Sequence, residues 1–291
     1  MPVPGEAIPV RRSWSRHILR ALKLLAVCYL GVLLVLSLLE NSLVYHPITA
    51  TGEWCDQPDS RVQDVALQTL DGGRIHAWWW PKEGAEGAVL YCHGNAGNLS
   101  HRAQAIADWR KQLNCSVLIF DYPGFGRSAG SPDEAGCYAA ANAAYQWLTQ
   151  TAGVPGQQVL IYGSSLGGGV AVELASHVPH RALVLLSTFT SLPDVAQEIF
   201  PWLPARWVVR NRFDNLGKIQ HCNGPVFIAH GDRDDLIHFA HGQKLAAAAK
   251  EPKYFLRLEK FGHWEDVNPD FFLSLRQFLS SSDAHLPQGA E

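Results

Sequence analysis

The chemistry in this sequence concentrates at Ser165. Gly163-Ser164-Ser165-Leu166-Gly167 has the form Gly-x-Ser-x-Gly, directly after an apolar run at residues 159–162 and before a helix-like stretch at 166–177. A sharp strand-to-helix turn forces the central serine into a strained backbone conformation. Glycine on either side removes the Cβ atoms that would clash in such a turn. The hydroxyl then stands clear of the sheet edge, close to the positive end of the following helix. Ser164 is the adjacent rival but lacks the symmetric glycine flanks. A serine hydroxyl is a poor nucleophile at neutral pH, so it needs a base, and the base needs a group to orient it.

Two later segments offer those groups. His230-Gly231-Asp232-Arg233-Asp234-Asp235 follows the apolar run 226–229, and Phe261-Gly262-His263 follows the run 254–258. Loops that follow parallel strands meet at one edge of a sheet, so Asp234 and His263 can reach Ser165. The expected roles are proton transfer by His263 and orientation of its ring by Asp234. Asp232 and Asp235 flank Asp234 and stay open as alternatives for the acid. Of the 13 histidines, His230 ends its strand before the acid and reads as structural. The acidic cluster with His238 and His241 lacks a glycine-centred calcium loop and an HExxH arrangement, so neither metal nor cofactor is expected.

Acyl transfer also needs donors for a developing oxyanion. Tyr91-Cys92-His93-Gly94-Asn95-Ala96-Gly97-Asn98 follows a third apolar run, and its small residues let a backbone N–H approach a substrate. The backbone N–H groups of Asn95 and Leu166 are the expected donors; the bland alternative is a generic tight loop. His93 reads as a loop organiser. Asp121-Tyr122-Pro123-Gly124-Phe125-Gly126-Arg127-Ser128 reads as a rigid turn around the site, without a chemical step of its own.

The elements that must hold these groups alternate. Residues 62–70 and 75–80 read as strands around the turn Asp71-Gly72-Gly73. Short apolar runs follow at 88–92, 117–120, 159–162, 182–186, 226–229 and 254–258, suited to strands buried on both faces. Ser131-Pro132-Asp133-Glu134 signals a helix start with Pro in the first turn, leading to a helix that ends near Gln150. Residues 166–177, 241–250 and 270–281 read as further helices. An opening hairpin followed by β-α units predicts an α/β fold, a mostly parallel eight-stranded sheet covered by helices on both faces. Alternation directs Trp78, Trp79 and Trp80 to both faces, as core residues. The interval between the runs 182–186 and 226–229 contains Pro193, Pro201 and Pro204 with Phe200, Trp202 and Trp207. Two readings of it stand: short helices covering apolar surface, or a small cap at residues 188–220 whose three aromatic residues line a substrate pocket.

Composition supports a globular body. The chain has 291 residues, 47% hydrophobic and 18% charged, enough to bury a sizeable core and too apolar for wholesale disorder. A formal net charge of −3 leaves no basic excess for nucleic acid. Six cysteines without a CxxC motif are too sparse for a disulfide scaffold. The N-terminus differs from the rest. Residues 18–40 are strongly apolar, and the core from 24 to 39 carries no charge. Arg11, Arg12, Arg16, Arg20 and Lys23 precede that core, and no Lys or Arg follows until Arg61. The expected organisation is a basic cytoplasmic N-terminus (1–17), a transmembrane signal-anchor helix (18–40), a catalytic domain (44–281) across the membrane, periplasmic in a bacterium, and a tail (282–291). A cleaved signal peptide shares the charge order, but residues 40–43 hold no A-x-A site.

The set HGNAGN, DYPGFGRS, GSSLGG, HGDRDD and FGH, in this order behind an apolar N-terminal segment, resembles the membrane-anchored serine hydrolases that contain an α/β-hydrolase domain. The resemblance covers residues 44–279 and extends to the stretch 187–218, which is similar to that family's short cap. It implies a triad of Ser165, Asp234 and His263, a hole formed by Asn95 and Leu166, and hydrolysis of carboxylic ester or thioester bonds in small acyl or lipid-like substrates. Two other readings stand beside it: a serine peptidase of the prolyl-oligopeptidase type, and a membrane-tethered binding protein that has lost catalysis. The sequence leaves the oligomeric state open.

Overall fold

The computed structural model describes residues 11–263 and 269–283. The chain divides into two units, Met1–Glu40 and Asn41–Glu291. The described part of the first unit is helical, belonging to α1 (Arg11–Val44). Within α1 the stretch Trp14–Val44 is long and apolar enough to cross a membrane. Its large side chains face outward, as with Leu24, Leu25 and Leu38. Such a surface is stable only in an apolar environment.

In the second unit eight strands form one sheet: β1 (Gln63–Gln68), β2 (Arg74–Trp80), β3 (Ala88–Cys92), β4 (Ser116–Phe120), β5 (Val159–Ser164), β6 (Ala182–Leu186), β7 (Val226–Gly231) and β8 (Lys253–Leu258). Their spatial order is β1-β2-β4-β3-β5-β6-β7-β8. The hairpin β1–β2 is antiparallel, as is the β2–β4 pair, and the remaining pairs are parallel. The chain runs from β3 to β4 on one side and then crosses to β5 on the other. That reversal opens a crevice at the carboxyl ends of β3 and β5, where α/β proteins bind ligands. The segments after β3 and β5 hold Asn95 and Ser165.

Strict alternation along the strands builds two apolar layers. On one side Leu90, Ile161 and Trp79 pack with α3 (Glu134–Gln146), α4 (Leu166–Ala175) and α8 (Ala240–Ala248). On the other, Trp78, Trp80, Val89 and Tyr91 pack with α2 (Ala103–Gln112) and α9 (Pro269–Asp283). The three consecutive tryptophans are all buried and divide between the two layers. Trp109 of α2 is 1% exposed and meets Tyr162 at 4.5 Å and Phe272 at 5.4 Å between ring centroids.

Several local expectations need adjustment. Helix α3 starts one step later than the motif suggested: Asp133 is the N-cap, accepting a hydrogen bond from the Gly136 N–H at 2.7 Å, and Pro132 stands outside the first turn. The helix then widens into a π-turn at Trp147–Thr151. Helix α2 was not singled out, although Ile106 and Trp109 have helical spacing and are both buried. A two-residue parallel pair, His46–Pro47 with Ala96–Gly97, was too short for its periodicity to register. The interval before β7 holds three short helices, α5 (Leu192–Ile199), α6 (Ala205–Val208) and α7 (Asn215–Ile219). All six cysteines are free thiols. Residues 1–10 of the expected basic segment and 284–291 of the expected tail lie outside the described residues.

Truncating a large aromatic anchor that joins β3, β5, α2 and α9 leaves a void its neighbours cannot close. Trp109→Ala is therefore expected to lower unfolding free energy by about 3–5 kcal/mol, measured as a lower urea midpoint with unchanged slope.

Candidate active site

Ser165 lies between β5 and α4 at φ 52°, ψ −120°, a conformation that L-residues rarely adopt. Close packing makes the turn possible. A Cβ on Gly167 would lie 2.1 Å from the Cys92 carbonyl oxygen, and one on Gly163 would lie 2.3 Å from the Gly167 carbonyl oxygen. Both positions exclude a side chain because backbone approaches backbone there. The strained peptide units are well held. The Ser165 N–H donates to the Leu186 carbonyl at 2.9 Å. The Ser165 carbonyl accepts from the Gly168 N–H at 3.0 Å and the Thr188 hydroxyl at 2.8 Å.

Three loops converge on this serine. His263 Nε2 lies 3.0 Å from Ser165 Oγ, and His263 Nδ1 lies 2.8 Å from Asp234 Oδ2. With Nδ1 protonated, the ring donates to the carboxylate and its Nε2 accepts from the hydroxyl, the tautomer this network requires. Both the Asp234 and His263 side chains are almost wholly buried. Asp234 Oδ1 accepts from the N–H groups of Ile237 at 2.8 Å and Leu236 at 3.1 Å. Burial opposes its charge, but hydrogen bonds from His230, His263 and the Ile237 N–H overcome that and hold the carboxyl well below the usual carboxylate range. The neighbouring acids are engaged elsewhere. Asp232 pairs with Arg257 at 2.8 Å and accepts from the Lys260 N–H at 2.6 Å, and Asp235 is exposed. His230 is buried, with Nε2 2.8 Å from the Ile237 carbonyl. His238 and His241 both meet Glu198, at 3.0 and 3.1 Å.

The loop after β3 passes directly over the turn. A Cβ on Gly94 would stand 3.5 Å from both the Ser165 Cβ and the Ser164 carbonyl oxygen. Asn95 is the next residue. Leu166 opens α4, so its N–H has no intrahelical acceptor. The loop is fastened from below by the segment after β4. The Tyr122 hydroxyl donates to the His93 carbonyl at 2.8 Å, and Asp121 accepts from the Leu99 N–H at 2.7 Å. His93 is fully buried, its ring tilted against Tyr122 with centroids 4.4 Å apart.

The expected pocket aromatics behave differently. Phe200 and Trp202 are about half exposed and pack edge to face at 6.2 Å, and Trp207 is 90% exposed. Elsewhere in this segment Phe189, Pro193, Leu203, Ala205, Phe213 and Ile219 are buried. The sequence could not separate the two sets, since both are apolar. Thr188, which holds the Ser165 carbonyl, carries no motif in the sequence. Its only signal was position, two residues past the end of β6.

The family model described as alpha/beta hydrolase fold matches residues 87–209. An uncharacterized protein of Mycobacterium tuberculosis is 36% identical over 249 residues, covering 84% of this chain and 88% of that protein. Human alpha/beta hydrolase domain-containing protein 17B is 32% identical over 239 residues, covering 81% of this chain and 82% of the relative. Among solved structures, an esterase of Pyrococcus furiosus superposes with a TM-score of 0.67 at 19% identity, covering 82% of this chain and 98% of that one. A puromycin-hydrolyzing peptidase of Mycobacterium tuberculosis gives 0.61 at 18% identity, covering 80% of this chain and 41% of that one. The last two speak for the fold, and the first two, alike in sequence along most of both partners, for descent: the chain belongs to the alpha/beta hydrolase family.

Proposed function

We propose that this chain is a serine hydrolase that cleaves carboxylic ester or thioester bonds of small acyl or lipid-like substrates. The observation that carries the reading is the continuous relay from the Ser165 hydroxyl through both nitrogens of His263 to Asp234. A serine in a strained turn with an imidazole at hydrogen-bond distance has the means to lose its proton as it attacks. The esterase and peptidase neighbours share this fold and add support for a hydrolase.

The chemistry follows from the arrangement. Ser165 Oγ attacks the acyl carbon while His263 Nε2 takes the hydroxyl proton. The carbonyl π pair moves onto oxygen, and that oxyanion is met by the N–H groups of Asn95 and Leu166. Asp234, kept ionised, stabilises the imidazolium and fixes its orientation. Collapse of the tetrahedral intermediate expels the alcohol or thiol, which receives the proton from His263 and leaves an acyl-serine. Water repeats the sequence: His263 takes its proton, the hydroxyl oxygen bonds to the acyl carbon, and collapse releases the acid while His263 returns the proton to Ser165 Oγ. No metal or cofactor enters these steps.

Residues 18–40 are read as a membrane anchor, with the basic end cytoplasmic and the body on the opposite side. Acyl substrates partition to such an interface. Residues 188–220 are read as a small cap beside the site, and the peptidase neighbour makes a peptide bond the competing substrate class.

Ser165→Ala is expected to abolish turnover of short p-nitrophenyl esters and covalent labelling by a fluorophosphonate, while circular dichroism stays unchanged. A folded wild-type protein that neither turns over esters nor takes the label would end the hydrolase reading. Preference for aminoacyl-proline amides over acyl esters would move it to the peptidase class.

Asp234 links the site to pH. Its folded-state pKa is depressed, so the unfolded chain binds the proton first as the solution is acidified. The stabilisation is fully present above the ordinary carboxylate value of about 3.9 and is lost as pH falls towards the folded value. Asp234→Asn is therefore expected to flatten the decline of Tm below about pH 4 and to lower kcat by about 10⁴-fold at neutral pH. A Tm profile parallel to wild type would show that the carboxylate is not the linked group.

A further inference from the structure

The Asn95 side chain points away from chemistry and into the segment that follows the apolar helix. Its amide makes three hydrogen bonds there. Nδ2 donates to the Val44 carbonyl and, at 3.1 Å, to His46 Nδ1, while Oδ1 accepts from the His46 N–H at 3.2 Å. Two hydrogens meet two acceptors, and one oxygen meets one donor. The orientation of the amide is dictated by its partners, because a carbonyl needs a donor and an N–H needs an acceptor.

Beyond this clasp the same segment is stitched along the loop. His46 and Pro47 pair in parallel with Ala96 and Gly97, and the Ile48 N–H donates to the Gly97 carbonyl at 3.2 Å. Asn98 Nδ2 donates to the carbonyls of Ile48 at 3.0 Å and Glu53 at 2.9 Å. The Cys55 N–H reaches Ser100 Oγ at 2.9 Å. At its near end, Tyr45 is buried and its hydroxyl donates to Asn211 Oδ1 at 2.8 Å, an atom that also accepts from the Glu134 N–H at 3.0 Å. Residues 44–55 thus form a strap over the Asn95 loop, itself secured between the start of α3 and the segment before α7.

We propose that the Asn95 side chain is a positioning group: clasped by residues 44–46, it holds its own backbone N–H at the oxyanion hole, so the strap between the apolar helix and the hydrolase body sets the rate of acyl transfer. This rests on the hydrolase reading above. The physical reason is lever length. The lower bonds hold the loop at His93 and Leu99, and between these points Gly94 and Gly97 bring no side chain to fix its height over Ser165. The amide supplies that fixing point by borrowing backbone groups from a neighbouring strand. Loss of the clasp leaves the N–H donor in the chain but frees the loop to shift, and a displacement of about 1 Å at a reacting centre costs on the order of 10²-fold in rate.

The test uses the full-length chain in detergent. Asn95→Ala keeps the backbone donor and removes only the clasp. Its kcat on a p-nitrophenyl ester is expected to fall by about ten- to a hundredfold with KM changed less than about threefold. Fluorophosphonate labelling is expected to slow by the same factor, because the phosphoryl oxygen needs the same donors. Asn95→Asp accepts from the His46 N–H but cannot donate to the Val44 carbonyl, so it is expected to be no better than Ala. His46→Ala removes one acceptor and keeps the His46 N–H, and a smaller loss of a few fold is expected. It serves as the decisive variant should Asn95→Ala fail to fold. Wild-type kcat in Asn95→Ala, wild-type kcat in His46→Ala where that variant decides, or full rescue by Asp overturns the inference and leaves the hydrolase reading intact. An inactive, unlabelled wild type removes both.

Discussion

A serine held at φ 52° in a backbone turn carries a cost of about 1–3 kcal/mol, so the rest of the site is organised around keeping it there. Three bonds hold its peptide groups: the Ser165 N–H donates to the Leu186 carbonyl, and the Ser165 carbonyl accepts from the Gly168 N–H and the Thr188 hydroxyl. Contact between Gly167 and the end of β3 then sets the height of α4 over the sheet. The switch in strand order places β3 beside β5, and therefore the loop of Asn95 beside Ser165. In this way the strain at one residue, the two glycines and the topology form a single arrangement, because none of them is stable without the others.

Asp234 and His263 arrive by a different principle. β7 and β8 lie on the far flank of β6, and their loops cross towards Ser165 with few glycines and many polar partners. Asp234 is stabilised as an anion inside the protein by two N–H groups and two imidazoles, which compensate for lost water. The same donors fix where its second oxygen points, and that oxygen meets His263. Charge compensation and ring orientation are one set of bonds. The crowd of acids around Asp234, ambiguous in the sequence, sorts by partner: Asp232 is drawn off by Arg257 and the Lys260 N–H.

Much of this architecture is legible in the sequence because its causes are local. Apolar runs announce the strands, and Gly163 and Gly167 announce the turn, since each reports a steric requirement at its own position. The residues that escaped notice act at long range. Thr188 matters through a carbonyl twenty-three positions away, and the Asn95 side chain through a carbonyl fifty-one away, and neither residue type signals such a partner. The aromatic residues at 200, 202 and 207 illustrate a second limit. Hydrophobicity says that a side chain gains by leaving water, but a short helix has more apolar residues here than faces to bury, and Leu203, Ala205, Phe213 and Ile219 are covered where Phe200, Trp202 and Trp207 are not.

The same distance dependence governs how the Asn95 loop is fastened. The peptide groups of the turn at Ser165 are held by Leu186, Gly168 and Thr188. The Asn95 loop is different: its fastening comes partly from Tyr122 and Asp121 below and partly from residues 44–55 above. Most of the upper fastening is made of peptide groups, which many sequences with the right path would present, with the His46 ring and the Tyr45 hydroxyl as its side-chain members. On the loop, the receiving side chains are Asn95, Asn98 and Ser100. A strap of this kind places specificity in the loop and leaves the connecting chain free to vary, so long as its backbone keeps its course. It also explains why the connection reads as featureless in sequence while carrying a large share of the hydrogen bonds that define one side of the site.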